Sequence, residues 1–241
     1  MSDFLAMFAR VEGDLRVWRF EGRDLPPITM TLRLAEAARA AVMRIAQARS
    51  GSPLLPSCLH GPATPGAAHR HAYWLPLDLD DDGLIDHLAV HVPVGLSDAA
   101  GALLDRLGSV DLHGWGQLAA VPTKPPSALI GPARLWLSDL PFVGPLHAHA
   151  HDPARPRPGR SAVAQLAREL GRLGRALPGA DIQTIDGPDV AAFLAGSRAM
   201  RLPTQPVCGW FALQFDAFVA GPLAVGFGSH FGLGLLRPRD D

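Results

Sequence analysis

The chain has 241 residues, of which 48% are apolar and 19% charged, and its formal net charge is −1. This apolar content excludes a disordered chain, and the near-zero charge excludes a uniformly basic or acidic protein. Among the 22 basic residues, Lys124 is the only lysine. Arginine suits bidentate phosphate recognition better than lysine does, although a GC-rich genome produces the same bias.

Cysteine content and the N-terminal residues bear on the cellular compartment. Cys58 and Cys208 are the only cysteines and no CxxC is present, which argues against a disulfide framework or a zinc–cysteine site. Residues 1–13 lack the basic and apolar regions of a secretory signal. No apolar run approaches the ~20 residues that a membrane span requires. We therefore expect a soluble, cytoplasmic protein.

Hydrophobic periodicity in the first half predicts the order strand, helix, strand, strand, helix, strand. This order is the βαββαβ pattern of a ferredoxin-like unit. The elements in chain order are a strand at 8–20, a helix at about 29–49, strands at 72–77 and 84–94, a helix from Ser97 to Leu107 and a strand at 117–122. The stretch Lys124-Pro125-Pro126 marks a boundary, so the sequence predicts an N-terminal unit over residues 1–124.

An acidic stretch, DLDDDGLIDH at 78–87, separates the two middle strands. It has the alternating Asp residues and the Gly of an EF-hand loop, but Ala89 occupies the twelfth position, where such a loop carries Glu. Asp and Gly also favour a tight turn between strands. The stretch therefore predicts a turn that joins the two strands and brings His87 across from His71. The alternative is a calcium-dependent module.

A segment rich in Pro, His and Arg, 141–159, follows a predicted strand at 133–140 and is expected to be loop. Within this segment, His147, His149 and His151 could align as metal ligands if they lay on a strand. The neighbouring Pro and Arg residues favour a polar loop instead, and no Cys or carboxylate spacing completes a site. We therefore expect no metal there.

The rest of the second half predicts a helix and further strands. Ser161 is a good N-cap for a helix whose apolar stripe extends to Leu177. The stripe consists of Val163, Leu166, Leu170, Leu173 and Leu177. Strands are predicted near 181–186 and 207–220. The elements predict a second, decorated unit over residues 125–241, and thus an α+β fold with two tandem ferredoxin-like, RRM-like βαββαβ units and a C-terminal glycine-rich loop.

The C-terminal stretch GPLAVGFGSHFGLGLLRP, at 221–238, is the glycine-rich part of the chain. Glycine lets the backbone approach a ligand closely and exposes N–H donors to phosphate. Ser229 and His230 add two hydrogen-bonding side chains at its tip. The glycines in GhG spacing, where h is apolar, are Gly226, Gly228, Gly232 and Gly234. The alternative is a glycine-rich strand pair or bulge that binds no ligand.

Two long motifs resemble a known family. A C-terminal GhG…GhG loop behind tandem ferredoxin-like units resembles the RAMP superfamily of CRISPR-associated RNA-binding proteins. Together, HRHAYWLPLDLDDDGLIDHLAVHVPVGL and GPLAVGFGSHFGLGLLRP resemble the repeat-processing half of the fused backbone/processing subunit of type I-U (I-G) CRISPR systems. The fused subunit carries a further RAMP unit in front. Because 241 residues leave no room for it, we expect a split or separate processing subunit.

This resemblance implies an endoribonuclease that cuts CRISPR repeat RNA and retains the 3′ hairpin of the crRNA within a type I effector complex. The implied chemistry uses no metal or other cofactor. A ribose 2′-OH attacks the adjacent phosphate and leaves a 2′,3′-cyclic phosphate and a 5′-OH. Such a reaction requires a general base, a general acid and stabilisation of the phosphorane charge. The alternative is a non-catalytic scaffold subunit that binds crRNA.

Histidines are the first candidates for the acid and base because imidazole titrates near neutrality. In the family, the catalytic histidine usually lies near the first helix or in the loop after it, which points to His69 and His71, with His87 on the next strand as a third candidate. The RNA contacts implied by the resemblance are Arg70, Arg168, Arg172, Arg175, Gly226, Gly228, Ser229, His230, Gly232 and Gly234.

Each of these assignments has a structural alternative. His69 and His71 could form only local hydrogen bonds at a strand end, and His87 could pair with Asp86 inside the sheet. The arginines of the helix predicted after Ser161 could form a solvated face. The five tryptophans lie mostly in apolar strand contexts, so we expect them in the core rather than in contact with RNA bases.

Overall fold

The computed structural model describes residues 13–51, 55–60, 71–147, 158–173, 177–195 and 206–239. The chain divides into two compact units, Met1–Pro126 and Ser127–Asp241. Each unit contains its own antiparallel sheet with helices, so the architecture is mixed α+β and is consistent with tandem ferredoxin-like units. No helix in the described ranges is long and apolar enough to cross a membrane.

The described residues of the first unit form five strands and three helices. In chain order they are β1 (Leu15–Glu21), α1 (Thr31–Ser50), α2 (Ser57–His60), β2 (Tyr73–Leu77), β3 (His87–His91), α3 (Asp98–Leu104), β4 (Ser109–Leu112) and β5 (Gly116–Thr123). A 3-10 turn, Ile28–Met30, leads into α1. Ser97 caps α3 as predicted, because its hydroxyl accepts a hydrogen bond from the Ala100 amide at 3.3 Å.

The sheet of the first unit has the strand order β2-β3-β1-β5-β4, and all neighbours are antiparallel. The order β2-β3-β1-β5 is that of a ferredoxin-like sheet, and β4, which the sequence analysis did not predict, extends it at one edge. Helix α1 buries an apolar stripe, in which Leu34, Ala38 and Val42 are fully buried. It ends at Gly51, which adopts a left-handed conformation at φ 70°.

Six strands and three helices are formed by the part of the second unit that the structure describes. In chain order they are α4 (Ser127–Ile130), β6 (Ala133–Ser138), β7 (Phe142–His147), α5 (Ala162–Leu170), β8 (Ala180–Ile185), α6 (Val190–Leu194), β9 (Pro206–Val219), β10 (Leu223–Ala224) and β11 (Leu235–Arg239). The strand order is β10-β11-β6-β9-β7, with β8 also pairing β9. Aromatic residues Trp136, Phe142, Phe211 and Phe215 form the centre of its core.

Strand β7 corrects the prediction that 141–159 is loop throughout. Phe142 and Val143 pair with Gly209 and Cys208 of β9, and both are buried. Two bulky apolar residues therefore form a short strand directly after the β6 turn. The Pro-, His- and Arg-rich composition of the longer segment obscured this two-residue signal, because loop signals are read over several residues.

Helix α5 is shorter than predicted. It begins after Ser161, whose hydroxyl accepts from the Ala164 amide at 3.2 Å, and it ends at Leu170 rather than near Leu177. Glycine at position 171 follows directly, and glycine weakens a helix by about 1 kcal/mol relative to alanine. The predicted stripe remains partly valid because Leu173 and Leu177 still pack against the core of the unit.

The tryptophans also divide into two groups. Four of them are buried as predicted: Trp18, Trp74, Trp136 and Trp210. Trp115 differs, since 43% of its surface is exposed. It lies in the turn between β4 and β5, where its neighbours His113, Gly114 and Gly116 are polar or lack side chains.

Candidate functional site

His71 lies at the entry of β2, directly after the undescribed residues 61–70, and its side chain is half-buried. The amide of the next residue, Ala72, donates a hydrogen bond to the Cys58 carbonyl at 2.7 Å. This bond fixes the backbone beside His71 against α2. The other two residues of the predicted motif, His69 and Arg70, lie outside the described residues.

The strand register places a different histidine near this position. His91, at the end of β3, stands opposite Tyr73 of β2 and opposite Leu15 of β1. The rings of Tyr73 and His91 are 6.3 Å apart between centroids, with an interplanar angle of 35°. His71 lies two residues before Tyr73, about 7 Å along extended backbone. Two imidazoles therefore occur at one end of the β2–β3 hairpin, and imidazole both accepts and donates protons near neutrality.

The expectation that the acidic turn brings His87 across from His71 is wrong. His87 stands opposite Leu77 of β2 and Arg19 of β1. Leu77 is six residues beyond His71, or roughly 20 Å along extended backbone. His87 is also largely buried, with 16% of its side chain exposed, and its Nδ1 lies 2.9 Å from Asp86 Oδ1. This environment fits the structural alternative for His87.

The acidic stretch 78–86 connects β2 to β3, as predicted. Asp78 organises this loop, because its Oδ1 accepts from the Asp82 amide at 3.2 Å and its Oδ2 accepts from the Gly83 amide at 2.8 Å. Asp86 Oδ1 accepts from the Leu79 amide at 3.1 Å and closes the other side. Burial raises the pKa of the Asp78 carboxyl, and the two amide hydrogen bonds oppose that rise.

Three carboxylates of the loop lie close together. Ligand atoms of Asp78, Asp80 and Asp82 fall within 4.8 Å of one another, and Asp80 and Asp82 are exposed. Asp78 is buried and both its oxygens already accept backbone hydrogen bonds. The cluster is therefore explained by loop geometry, as expected for Asp-rich turns.

Glycine at two positions of the C-terminal stretch is required by packing within the protein. A Cβ at Gly226, where φ is 95°, would lie 2.6 Å from Phe142 Cε2 and 2.6 Å from the Val143 carbonyl oxygen. A Cβ at Gly234, where φ is 64°, would overlap the Val225 carbonyl oxygen. These contacts favour the alternative that these two glycines serve the fold and leave no space for a ligand beside them.

The tip of the same stretch is a 3-10 turn, Ser229–Phe231, between two glycines with left-handed backbone. Gly228 has φ 75° and Gly232 has φ 97°. Ser229 is buried, and His230 is half-buried. The Phe227 amide donates to the Val143 carbonyl at 2.7 Å, so the stretch is tied to β7. Among the described residues, the amides of Gly226 and Gly228 form no backbone hydrogen bond.

The predicted arginine stripe is only partly formed. Arg168 lies on α5, Arg172 lies beyond its end, and Arg175 lies outside the described residues. Both described arginines approach the buried Glu169: Arg172 Nη1 donates to Glu169 Oε1 at 2.9 Å, and Arg168 Nε lies 3.8 Å from the same oxygen. The carboxylate offsets part of their charge.

The remaining candidates fall outside the described residues. These are the side chain of His147 together with His149 and His151, the histidines of the predicted polar loop. The backbone of residue 147 ends β7, so the first of them is on a strand, contrary to the loop prediction.

Comparison with known proteins identifies the fold. No family model matches the chain, and no curated protein matches it in sequence. A solved structure of a CRISPR-associated protein Cas6 matches at a TM-score of 0.51 and 11% identity, over 94% of this chain and 98% of that one. The chain therefore shares the fold of a Cas6 protein.

Two further solved structures match at lower TM-scores. One, from work on a Cas6-related gene of Pyrococcus furiosus, has a TM-score of 0.49 and 14% identity over 95% of this chain and 100% of that one. The other is a RAMP protein titled as binding different RNA substrates, with a TM-score of 0.44 and 10% identity over 94% of this chain and 98% of that one.

Sequence reasoning missed His91. It selected His87, which lies nearer the acidic turn on the same predicted strand. The signal that selects His91 is the register of the β2–β3 pair. Leu77 stands opposite His87, so four residues earlier on β2 Tyr73 stands opposite His91. That count depends on where the acidic connection begins and ends, which composition does not specify.

Proposed function

We propose that the protein binds CRISPR repeat RNA and cleaves it as an endoribonuclease that uses no metal. The fold likeness over nearly the whole length of a Cas6 structure carries this proposal. The histidines at one end of the β2–β3 hairpin support it, because the reaction requires two groups that transfer protons near neutral pH. The product would be a crRNA whose 3′ hairpin stays bound, in a type I effector complex with other subunits.

The proposed step forms one bond and breaks another. The ribose 2′-oxygen attacks the adjacent phosphorus, and the bond from phosphorus to the 5′-oxygen of the next nucleotide breaks. A general base accepts the 2′-OH proton, and a general acid donates a proton to the leaving 5′-oxygen. The products are a 2′,3′-cyclic phosphate and a 5′-OH. N–H donors or a cation stabilise the extra negative charge on the phosphorane.

His71 is the first choice for one of the two proton transfers, with His91 or His69 for the other. Both groups must reach the same phosphate, and the register puts His91 close to His71 while His87 is roughly 20 Å away. The rings of Tyr73 and His91 face each other across the strand pair, with their centroids 6.3 Å apart. His69 remains a candidate because it lies two residues before His71, and residues at that spacing on extended backbone point to the same side.

The RNA contacts in the proposal come from the second unit and from Arg70. Arg168 and Arg172 offer guanidinium donors to hairpin phosphates, with Arg175 beyond them in sequence. A-form RNA is read mainly through its backbone and shape, so donors of this kind suffice. At the tip of the glycine-rich stretch, Gly228 and His230 are half-buried and are the better candidates for contact. The other predicted contacts of this stretch are buried in the fold: Gly226, Ser229, Gly232 and Gly234.

The deciding experiment mixes the protein with 5′-radiolabelled repeat RNA in EDTA. The expected result is a single cut whose 5′ fragment carries a 2′,3′-cyclic phosphate. A repeat with a 2′-deoxy sugar at the mapped cleavage position should bind and remain intact. RNA that shifts in a gel but stays uncut would instead identify the non-catalytic scaffold, and RNA that neither shifts nor is cut would refute both functions.

A further inference from the structure

The turn between β4 and β5 presents an exposed tryptophan in a fixed position. Trp115 is 43% exposed, and its indole Nε1 donates a hydrogen bond to the Asp24 carbonyl at 3.0 Å. Its own amide donates to the Leu112 carbonyl at 2.8 Å, which closes the turn. The ring is therefore held against the protein at one edge while much of its surface faces solvent.

Two arginines accompany the ring. Arg33 Nη2 donates to the His113 carbonyl in the same turn at 2.8 Å, and its other N–H groups form no hydrogen bond with the described residues. Arg23 is exposed, precedes the Asp24 carbonyl that holds the indole, and forms no ion pair with any residue in the described ranges. We call Trp115, Arg33 and Arg23 the Trp115 platform.

The platform lies at the opposite end of the sheet from the candidate histidines. Gly116, next to Trp115, begins β5, and β5 reaches the end of β1 where Glu21 stands opposite Ala119. His91 stands at the start of β1, opposite Leu15. An RNA segment on the platform is therefore separate from the phosphate that would be cleaved.

We propose that the Trp115 platform binds unpaired nucleotides of a single-stranded RNA segment. One base stacks on the indole, and the flanking phosphates accept hydrogen bonds from Arg33 and Arg23. Stacking tolerates any base because each has an aromatic face, and arginine adds charge and N–H donors. The choice of RNA as the ligand rests on the proposed function. The exposure of the Trp115 ring and the presence of the two arginines are observations that do not depend on it.

The chemistry favours RNA over a protein partner. Protein interfaces bury an anchor aromatic in an apolar surround, but the residues beside Trp115 are polar or lack side chains: His113, Gly114 and Gly116. A Cβ at Gly116 would meet nothing within 4 Å, so no side chain crowds the backbone next to Trp115. Exposed carboxylates of Asp24 and Asp111 weaken the phosphate attraction, so stacking should supply most of the affinity.

The test uses the full-length protein and a six-nucleotide single-stranded RNA unrelated to any repeat. Wild-type tryptophan emission should fall on binding, because Trp115 is the exposed tryptophan and the other four are buried. In anisotropy titrations with labelled oligonucleotide, Trp115→Ala should weaken binding by roughly tenfold, and Trp115→Phe should keep most of the affinity while losing the quenching. Arg23→Ala should lower the salt slope by about one.

Phe218→Ala is the matched control, since Phe218 is an exposed aromatic of the second unit, and it should leave the affinity unchanged. The proposal would be overturned if Trp115→Ala and Phe218→Ala lost RNA affinity equally, or if Trp115→Ala kept the wild-type affinity. Absence of tryptophan quenching in the wild-type protein would also overturn it. Loss of self-association in Trp115→Ala with RNA affinity intact would assign the ring to a second copy of the chain and also overturn it. The assay contains no cleavage step, so its outcome is independent of whether the protein cuts repeat RNA.

Discussion

Tyr73 and His91 stand opposite each other across the antiparallel β2–β3 pair, with their ring centroids 6.3 Å apart. Cross-strand neighbours of this kind restrict each other's side-chain conformations. The imidazole of His91 therefore lies beside a phenol on β2, and the chain enters β2 at His71. This pairing defines the candidate catalytic end of the first unit, and it follows from register rather than from proximity in sequence.

His71→Ala should lower the single-turnover cleavage rate by about 10²- to 10⁴-fold, because general acid–base catalysis contributes on that scale. The dissociation constant for the repeat hairpin should stay within about threefold, since most hairpin affinity comes from phosphate contacts elsewhere. Rates measured at saturating protein, together with gel shifts in EDTA, separate the two effects. A variant that cuts at the wild-type rate would exclude His71 from catalysis.

His91→Ala and His87→Asn distinguish the register argument from the earlier expectation. His91→Ala should reduce cleavage on the same scale as His71→Ala, whereas His87→Asn should cut within a few-fold of wild type if it folds. Melting temperatures identify a variant that is merely unfolded. The reverse pattern, with cleavage lost in His87→Asn alone, would show that the distance between His87 and His71 does not exclude a catalytic role.

The order of elements in the first unit could be predicted from sequence because its signals are local. Alternation identified β2 and β3, Ser97 marked the start of α3, and an apolar stripe identified α1. Strand β7 could not be identified in the same way, since Phe142 and Val143 are the only adjacent pair of bulky apolar residues in a segment rich in Pro, His and Arg. Their burial depends on pairing with β9, more than 60 residues later in the sequence, and such contacts leave no local pattern.

The candidate site was predictable in composition but not in geometry. A histidine at the start of β2 could be selected from sequence, but its nearest partner on β3 depends on the length of the acidic connection. Shifting β3 by four residues along β2 would exchange the positions of His87 and His91. Because four is an even number, each side chain would stay on the same face of the sheet, so the alternating pattern cannot distinguish the two registers. The burial of Gly226 and Gly234 was likewise invisible, because a glycine that packs against backbone and one that binds phosphate look the same in sequence.

Asp78 should make stability depend on pH in a direction that follows from its burial. Its pKa is raised above the ordinary value of 3.8, so above that value the unfolded state releases a proton that the folded state retains. The free energy of unfolding should therefore fall as pH rises through the interval between the two pKa values. Asp78→Asn removes this titration.

Urea unfolding of wild type and Asp78→Asn between pH 3.5 and about 7 tests this dependence. The stability of wild type relative to the variant should be greatest at the acid end and decline as pH rises. Asp78→Ala should also lose about 1–3 kcal/mol at every pH, since the amides of Asp82 and Gly83 lose their acceptors. A stability difference that grows with pH would contradict the raised pKa.

Gly226→Ala should test whether this glycine serves packing or RNA contact. The added Cβ would meet Phe142 and the Val143 carbonyl at 2.6 Å in a backbone with φ 95°, so the free energy of unfolding should fall by about 2–4 kcal/mol. Gly159→Ala is the matched control, because φ there is 67° and nothing lies within 4 Å. It should lose only about 1 kcal/mol. Equal losses at both sites would mean that packing contributes nothing at Gly226.

The buried pair of Arg237 and Asp139 should be the most sensitive ionic contact of the second unit. Arg237 Nε lies 2.6 Å from Asp139 Oδ1, and the two side chains are 6% and 9% exposed. Arg237→Ala should destabilise the fold by about 3–5 kcal/mol, because the carboxylate stays buried without its cation.

Replacing both partners should be less harmful than removing one. Arg237→Met combined with Asp139→Leu takes away both charges and keeps apolar volume, so the double variant should be more stable than Arg237→Ala. The Asp139 amide donates to the Leu235 carbonyl at 2.9 Å, and this backbone bond is expected to keep β11 attached to the β6 turn in the double variant. Urea unfolding of wild type, Arg237→Ala and the double variant compares their free energies of unfolding. A double variant less stable than Arg237→Ala would contradict this expectation. It would mean that the attraction between the two charges stabilises the fold by more than their desolvation costs.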